Sequence, residues 1–150
     1  FAGIFDPNRD ELFFADREVA TLNGDKISVS DTISLSDALI ALNCNQSDWN
    51  AEKPDLKTLV NAFAPPVTRR IHIFESANLE LAYVACGRMD AYLNPTDKVW
   101  DIAGGSLMVT SAGGSATILE GSFSSPMKCK GIVASASSIL EPVQDILKKL

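Results

Sequence analysis

The chain of 150 residues holds one histidine, His72, and three cysteines, Cys44, Cys86 and Cys129. A lone histidine leaves little material for a His-based triad or a His-rich metal centre. The cysteines are odd in number, lie far apart and form no Cys-x-x-Cys pair, which argues against both a disulfide framework and a structural zinc site. No apolar run approaches the roughly 20 residues that a membrane helix needs, and the opening FAGIF is too short for a signal-peptide core. With 13 basic and 19 acidic residues the formal net charge is −6, and no basic stripe of the kind that neutralises nucleic-acid phosphates is present. Neither GxGxxG after a strand nor GK[ST] occurs, so dinucleotide and Walker-type phosphate loops are excluded as well. These absences predict a cytoplasmic protein with no nucleic-acid and no membrane partner. Any catalysis would rest on carboxylates, hydroxyls and a hard, oxygen-loving cation.

Hydrophobic residues make up 46% of the chain and charged residues 21%, an ordinary globular balance that predicts a packed core in one domain. Residue 1 is Phe and opens directly into a strand-like run, so the chain reads as a piece of something longer. Residues 1–30 predict an antiparallel meander: FAGIFD, a PNRD turn, ELFFAD, VATL, then an Asn23-Gly24 turn before KISVS. LSDALIAL suits helix or strand, and NCNQSDWN reads as a polar loop. In KPDLKTLVNAF the apolar Leu56, Leu59, Val60 and Phe63 recur at helical spacing, with Pro54 expected in the first turn. RRIHIF alternates like a half-buried strand. Ser76 is then expected to cap a helix through ANLELAYVAC that Gly87 closes, so apolar nearly all round that it belongs inside a layered structure. DAYLN predicts a short strand, PTDK a turn, and DIAGGSLMVTSA a helix capped by Asp101 and stopped by Gly113-Gly114. ATIL and GIVASA follow as strands, and SSILEPVQDILKKL as a closing amphipathic helix. Strands alternating with helices after residue 65 give a layered α/β half.

Most candidate residues have a local explanation. Asp101 suits a helix N-cap, yet a carboxylate at a helix N-terminus can also hold a cation while neighbouring amides receive phosphate. The acids of DPNRDE lie where turn chemistry wants them. His72 reads as a partly exposed strand residue. Arg69 and Arg70 suit either a phosphate or a solvated strand edge.

The order of the segments carries more than any one of them. RRIHIFESANLELAYVACGRMDAYLN, a short spacer, VWDIAGGSLMVTSAGG and a final GIVASASSILEPV resemble the inositol monophosphatase family, notably its archaeal members that also cleave fructose 1,6-bisphosphate. AGIFDPNRDELFFADREVATLNGDKISVSDTISLSDALIAL is similar to the segment that precedes these motifs in the family, so the resemblance spans nearly the whole chain.

The resemblance implies a mixed α/β fold: a layered α/β/α, sugar-phosphatase-like half over about residues 35–150, preceded by antiparallel strands of a larger sheet over 1–30. It also implies a Mg²⁺-dependent phosphomonoesterase that hydrolyses inositol 1-phosphate and/or fructose 1,6-bisphosphate with a metal-activated water, in an assembly that is commonly a homodimer. In the family, the Asp of the Trp-Asp pair ligates the catalytic cation, a role that falls on Asp101. The Gly-Ser/Thr step whose backbone meets substrate falls on Glu75-Ser76, so Ser76 matches and Glu75 stands where the family has glycine. The acid that receives substrate hydroxyls falls on Asn94, and Arg70 is a further candidate for phosphate. The family's upstream glutamate and DP-x-DGT segment, which supply the remaining metal carboxylates, have no counterpart here. The expectation is therefore the C-terminal portion of such an enzyme, inactive by itself and completed by an upstream segment. The alternative is a non-catalytic binding or assembly module that keeps the phosphatase fold.

Overall fold

Alternation of apolar and polar side chains along the first thirty residues produces the expected meander. A computed structural model of the chain describes residues 1–44 and 55–150. Strands β1 (Ala2–Asp6), β2 (Glu11–Ala15), β3 (Ala20–Leu22) and β4 (Asp25–Lys26) pair antiparallel in the order β1-β2-β3-β4. Phe13 and Ala15 point into the core, while Phe5, Leu12 and Phe14 point outward. The β3–β4 turn places Asn23 at φ 51° and Gly24 at φ 92°, the positive values that a tight hairpin needs. Strand pairing stops at Lys26, short of the predicted KISVS strand. Ile27 still donates to the Ala20 carbonyl (3.0 Å), but the Val29 amide turns to the Ala112 carbonyl (3.1 Å) at the end of a helix.

The second sheet has the order β6-β5-β7-β9-β8, built from β5 (Leu39–Leu42), β6 (Arg70–His72), β7 (Ala91–Lys98), β8 (Ser115–Glu120) and β9 (Lys130–Ser135). β5 runs parallel to β6 and β7, whereas β9 is antiparallel to β7 and β8. LSDALIAL thus divides into a 3-10 turn, Leu35–Asp37, and strand β5. Among the described residues the α-helices are α1 (Leu56–Phe63), α2 (Ala77–Ala85), α3 (Val99–Ser111) and α4 (Leu140–Leu147). The Asp55 side chain caps α1 by accepting from the Thr58 amide at 2.7 Å. Pro54 and residues 45–50 of the predicted polar loop lie outside the described residues.

The layers follow from the alternation along the central strands. Ala41, Tyr92, Ile132 and Ala134 join α2, α3 and the inward face of the meander in one core; Ile40, Leu42, Leu93 and Val133 join α1 and α4 in the other. The result is a mixed α/β fold, an α/β/α layer with the antiparallel meander packed over α2 and α3. At the far end of α2, Arg88 grips Glu11 with two bonds of 2.6 and 2.7 Å, and the Tyr83 hydroxyl donates to Asp6 Oδ2 at 3.0 Å. Asp6 also accepts from the Asn8 amide at 2.9 Å, so DPNRDE is the turn its composition predicts. Among the described residues no helix is long and apolar enough to cross a membrane.

Candidate functional site

Because β5, β6 and β7 are parallel, their carboxyl ends open on the same edge of the sheet, the place where open α/β sheets receive ligands. Asn43 follows β5, the loop of residues 73–76 follows β6, and Asn94 to Asp101 lie at the end of β7. Helices α2 and α3 both start there, directing first-turn amides and the positive ends of their dipoles toward that edge. They pack side by side: a Cβ on Gly105 would fall 2.5 Å from Leu81 Cβ, so only glycine permits the approach.

Asp101 lies at the third position of α3 rather than at its cap, since the helix begins at Val99 and Lys98 is the N-cap. Its Oδ2 reaches back to accept from the Lys98 amide at 3.3 Å, the reciprocal half of a capping box. The predicted cap is thus displaced by three positions. β7 carries straight through the expected PTDK turn, with a register irregularity between Asn94 and Lys98, and delivers the chain directly into the helix. Trp100 stands 63% exposed beside it, with Lys98 Nζ 5.7 Å from its ring centre.

A buried polar network explains the continuous strand. Asn94 Oδ1 accepts from both the amide and the hydroxyl of Thr96 at 2.9 Å, and its Nδ2 donates to Asp97 Oδ1 at 2.6 Å. Asp97 Oδ2 accepts from the Tyr92 hydroxyl at 2.6 Å. Burial pushes Asp97 up to about 6, and the Asp101 charge acts in the same direction, while the bonds from Tyr92 and Asn94 oppose it. Burial and the Asp97 charge also push Tyr92 well above the ordinary tyrosine value. The polar atoms of Asn94 are therefore directed into the protein, not toward the open edge.

A second buried group lies behind the β6–α2 loop. Glu80 is fully buried, and burial raises its carboxyl against the stabilising bonds it receives. Its Oε1 accepts from the Phe74 amide (3.2 Å) and its Oε2 from the Ser76 amide (3.1 Å) and from Asn43 Nδ2. Ser76 is the N-cap residue of α2 by position, but its hydroxyl makes no capping bond, while its own amide is taken by Glu80. Glu75 adopts φ 59°, the left-handed region that favours glycine. Both Glu75 and Ser76 keep their side chains exposed. Arg70 is exposed on β6, the edge strand, and His72 packs its ring 5.4 Å from that of Phe74.

Glu75, Ser76 and Asp101 thus lie along this edge with Asn94 turned inward behind it, while Arg70 stands at the start of β6, before the loop. Asn43, Glu80, Tyr92 and Asp97 were not singled out by the sequence reading. Glu80 carried a signal, an acid within a helix apolar on every side. Asp97 did not, since Pro-Thr-Asp-Lys has turn composition. Among the described residues no group of three or more acidic, histidine or cysteine side chains converges as a cation site.

A sequence model of the inositol monophosphatase family matches residues 1–148. A Nus factor SuhB from Xylella fastidiosa is 40% identical over 131 residues, which cover 87% of this chain and 47% of that protein. An inositol-1-monophosphatase from Rhizobium meliloti is 30% identical over 152 residues, covering 99% of this chain and 55% of the relative. The solved inositol monophosphatase from Anabaena (Nostoc) sp. PCC 7120 superposes with a TM-score of 0.87 at 29% identity, over 99% of this chain and 58% of that one. The chain thus spans about half the length of the proteins it matches. A match over 148 consecutive residues, with both sheets and the helices between them in the same arrangement, makes this chain a member of the inositol monophosphatase family.

Proposed function

We propose that the chain forms the α3-bearing half of a Mg²⁺-dependent phosphomonoesterase that acts on a small phosphorylated sugar or inositol, inositol 1-phosphate and/or fructose 1,6-bisphosphate. The observation that carries this reading is Asp101, held at the first turn of α3 on the open edge where α2 also begins. Its Oδ2 makes a long bond to the Lys98 amide, which leaves carboxylate capacity for a cation. Mg²⁺ binds through one or two carboxylates together with water and phosphate, so Asp101 fits as one ligand. A bound Mg²⁺ would neutralise phosphoryl charge and lower the pKa of a water. One carboxylate does not position two ions, so the remaining acidic ligands are assigned to an upstream segment of the same enzyme.

The chain's own residues do the rest. The α2 N-terminus offers first-turn amides to an anion, with Ser76 and Glu75 at its mouth. Arg70 adds a cation on the strand that leads into this loop. Asn94 meets substrate hydroxyls only by releasing Thr96 or Asp97, and otherwise fixes the strand that presents Asp101. We place the enzyme in the cytoplasm, in keeping with three widely spaced cysteines that form no Cys-x-x-Cys pair, and as a homodimer, as the family resemblance implies.

Asp101→Asn in the full-length protein is the direct test, read as Mg²⁺-dependent phosphate release and as Mg²⁺ binding by calorimetry. Loss of a metal ligand is expected to lower kcat/KM by about a hundredfold or more and to weaken Mg²⁺ binding. Unchanged Mg²⁺ affinity in an active preparation would remove Asp101 from the metal site. A second reading, a non-catalytic assembly module, is favoured by Glu75 at the family's glycine position and by relatives that carry the name Nus factor. Absence of phosphate release from full-length wild-type protein, across inositol and sugar phosphates, selects that reading.

A further inference from the structure

Three successive amides in the loop between β6 and α2 turn inward. The Phe74 amide donates to Glu80 Oε1 at 3.2 Å, the Glu75 amide to Asn43 Oδ1 at 3.3 Å and the Ser76 amide to Glu80 Oε2 at 3.1 Å. Asn43 Nδ2 closes the set by donating to the same carboxylate oxygen. Both acceptors are buried, Glu80 at 0% and Asn43 at 4% exposure, while the side chains of residues 73–76 are exposed. Burying a carboxylate is expensive, and an apolar residue would suit the interior of α2 better if packing were the only requirement. The acid does something packing cannot: with Asn43 it fixes the backbone of the loop at three consecutive donors. One of these is Glu75, whose left-handed φ of 59° persists only where the surroundings over-determine it. Asn43 is itself anchored, since its amide donates to the Leu93 carbonyl of β7 at 2.9 Å. The loop is thereby tied to β5, to β7 and to the first turns of α2 at once.

We propose that Glu80 and Asn43 are positioning residues for the phosphatase: a buried clamp that holds loop 73–76 so that Ser76 and the α2 N-terminus meet the phosphorylated substrate in fixed geometry. The inference rests on the phosphatase reading and adds residues that touch neither metal nor substrate. A displacement of about an ångström at such a loop is enough to cost orders of magnitude in rate.

The test uses Glu80→Gln in the full-length protein, with two readouts. Gln keeps the shape but turns an NH₂ toward the Asn43 amide and the Ser76 N–H, so the clamp loses an acceptor. KM for inositol 1-phosphate is expected to rise about tenfold or more, with half-activation by Mg²⁺ unchanged. Hydrogen exchange of amides 74–76 is expected to accelerate in the same variant. Adding Asn43→Asp to Glu80→Gln returns an acceptor to the pair and should restore part of the KM. If Glu80→Gln does not fold, Asn43→Ala, which leaves the carboxylate on two of the three amides, is measured in the same way. A wild-type KM in a variant whose loop amides exchange faster overturns the positioning role; unchanged protection of amides 74–76 overturns the clamp. Should wild-type protein release no phosphate, the phosphatase reading and the catalytic purpose fall together, and the exchange data alone still decide whether the clamp holds the loop.

Discussion

Asp97 holds its proton to about pH 6 in the folded chain, whereas an exposed aspartate releases it near 3.8. Below pH 4 both states carry the proton, and the contribution of the raised pKa to stability is fully present. Between pH 4 and 6 unfolding releases a proton that folding retains, so the contribution of Asp97 to stability falls as pH rises and is gone above about 6.5. The loss should be roughly 1 to 2 kcal/mol, once the partial solvation of the carboxyl is allowed for. Comparing Asp97→Asn with wild type in urea, at pH 4.5 and pH 7.5 without Mg²⁺, isolates this slope from the other acids. Wild type should lose ground to the variant as pH rises, and a pH-independent difference would mean that Asp97 titrates normally. Its neighbours give the reason for the shift. The packing around Asp97 buries the carboxyl, which disfavours its charged form, and Asp101 places a second negative charge nearby, against the lowering effect of the bonds from Tyr92 and Asn94. Glu75 raises the opposite question, since it sits in the left-handed region that favours glycine, at a backbone cost.

Helices α2 and α3 pack closely at Gly105, and two adjacent glycines on α3 should respond to substitution in opposite ways. A Cβ on Gly105 would stand 2.5 Å from Leu81 Cβ, an atom that cannot rotate away, so Gly105→Ala must push the helices apart. A loss of about 1 to 3 kcal/mol is expected. On Gly104 the added Cβ would meet Ala2 Cβ at 3.5 Å, an ordinary contact, so Gly104→Ala should be neutral or gain up to about 1 kcal/mol from helix propensity. Urea unfolding of the two variants checks both, and equal effects would refute the packing argument. The ends of these helices were legible in the sequence for local reasons. Gly87 and Gly113 take φ of 73° and 88°, and each helix closes with paired bonds back to its last turn: Gly87 and Arg88 to Val84 and Tyr83, Gly113 and Gly114 to Thr110 and Val109. The α3 start was misplaced because β7 is held straight by Asn94 and Asp97, two side chains that find each other only in the folded strand. Glu80 and Asn43 are 37 residues apart. Pairing over that separation leaves no periodic trace, so the side chains behind the site could not be read from spacing, whereas Asp101 could be placed through the order of its neighbouring motifs.

At the scale of the whole molecule, the inward face of the meander is buried on α2 and α3, but its outward face carries Phe1, Phe5, Leu12 and Phe14 at 95, 56, 50 and 40% exposure. Phe5 pairs with Leu12 across the β1–β2 register, and Phe1 stacks on Phe14 with ring centres 6.1 Å apart, so these side chains form one apolar patch. A contiguous apolar patch on a sheet whose edge strand is β1 invites association. The chain spans about half of its relatives, and among its described residues no group of three or more acidic, histidine or cysteine side chains converges as a cation site. Both features lead to one expectation: the 150-residue chain by itself should self-associate and release no phosphate from inositol 1-phosphate with Mg²⁺, whereas addition of the upstream segment, in cis or as a separate fragment, should restore both dispersity and turnover. Replacing Phe5 with Lys separates the two effects, because it should reduce association of the isolated chain without conferring activity. Sedimentation and phosphate release on the same preparations measure them. Hydrolysis at an ordinary enzymatic rate, on the order of 1 per second or faster, by the pure 150-residue chain would show that Asp101 and its neighbours suffice, and the upstream carboxylates would no longer be needed.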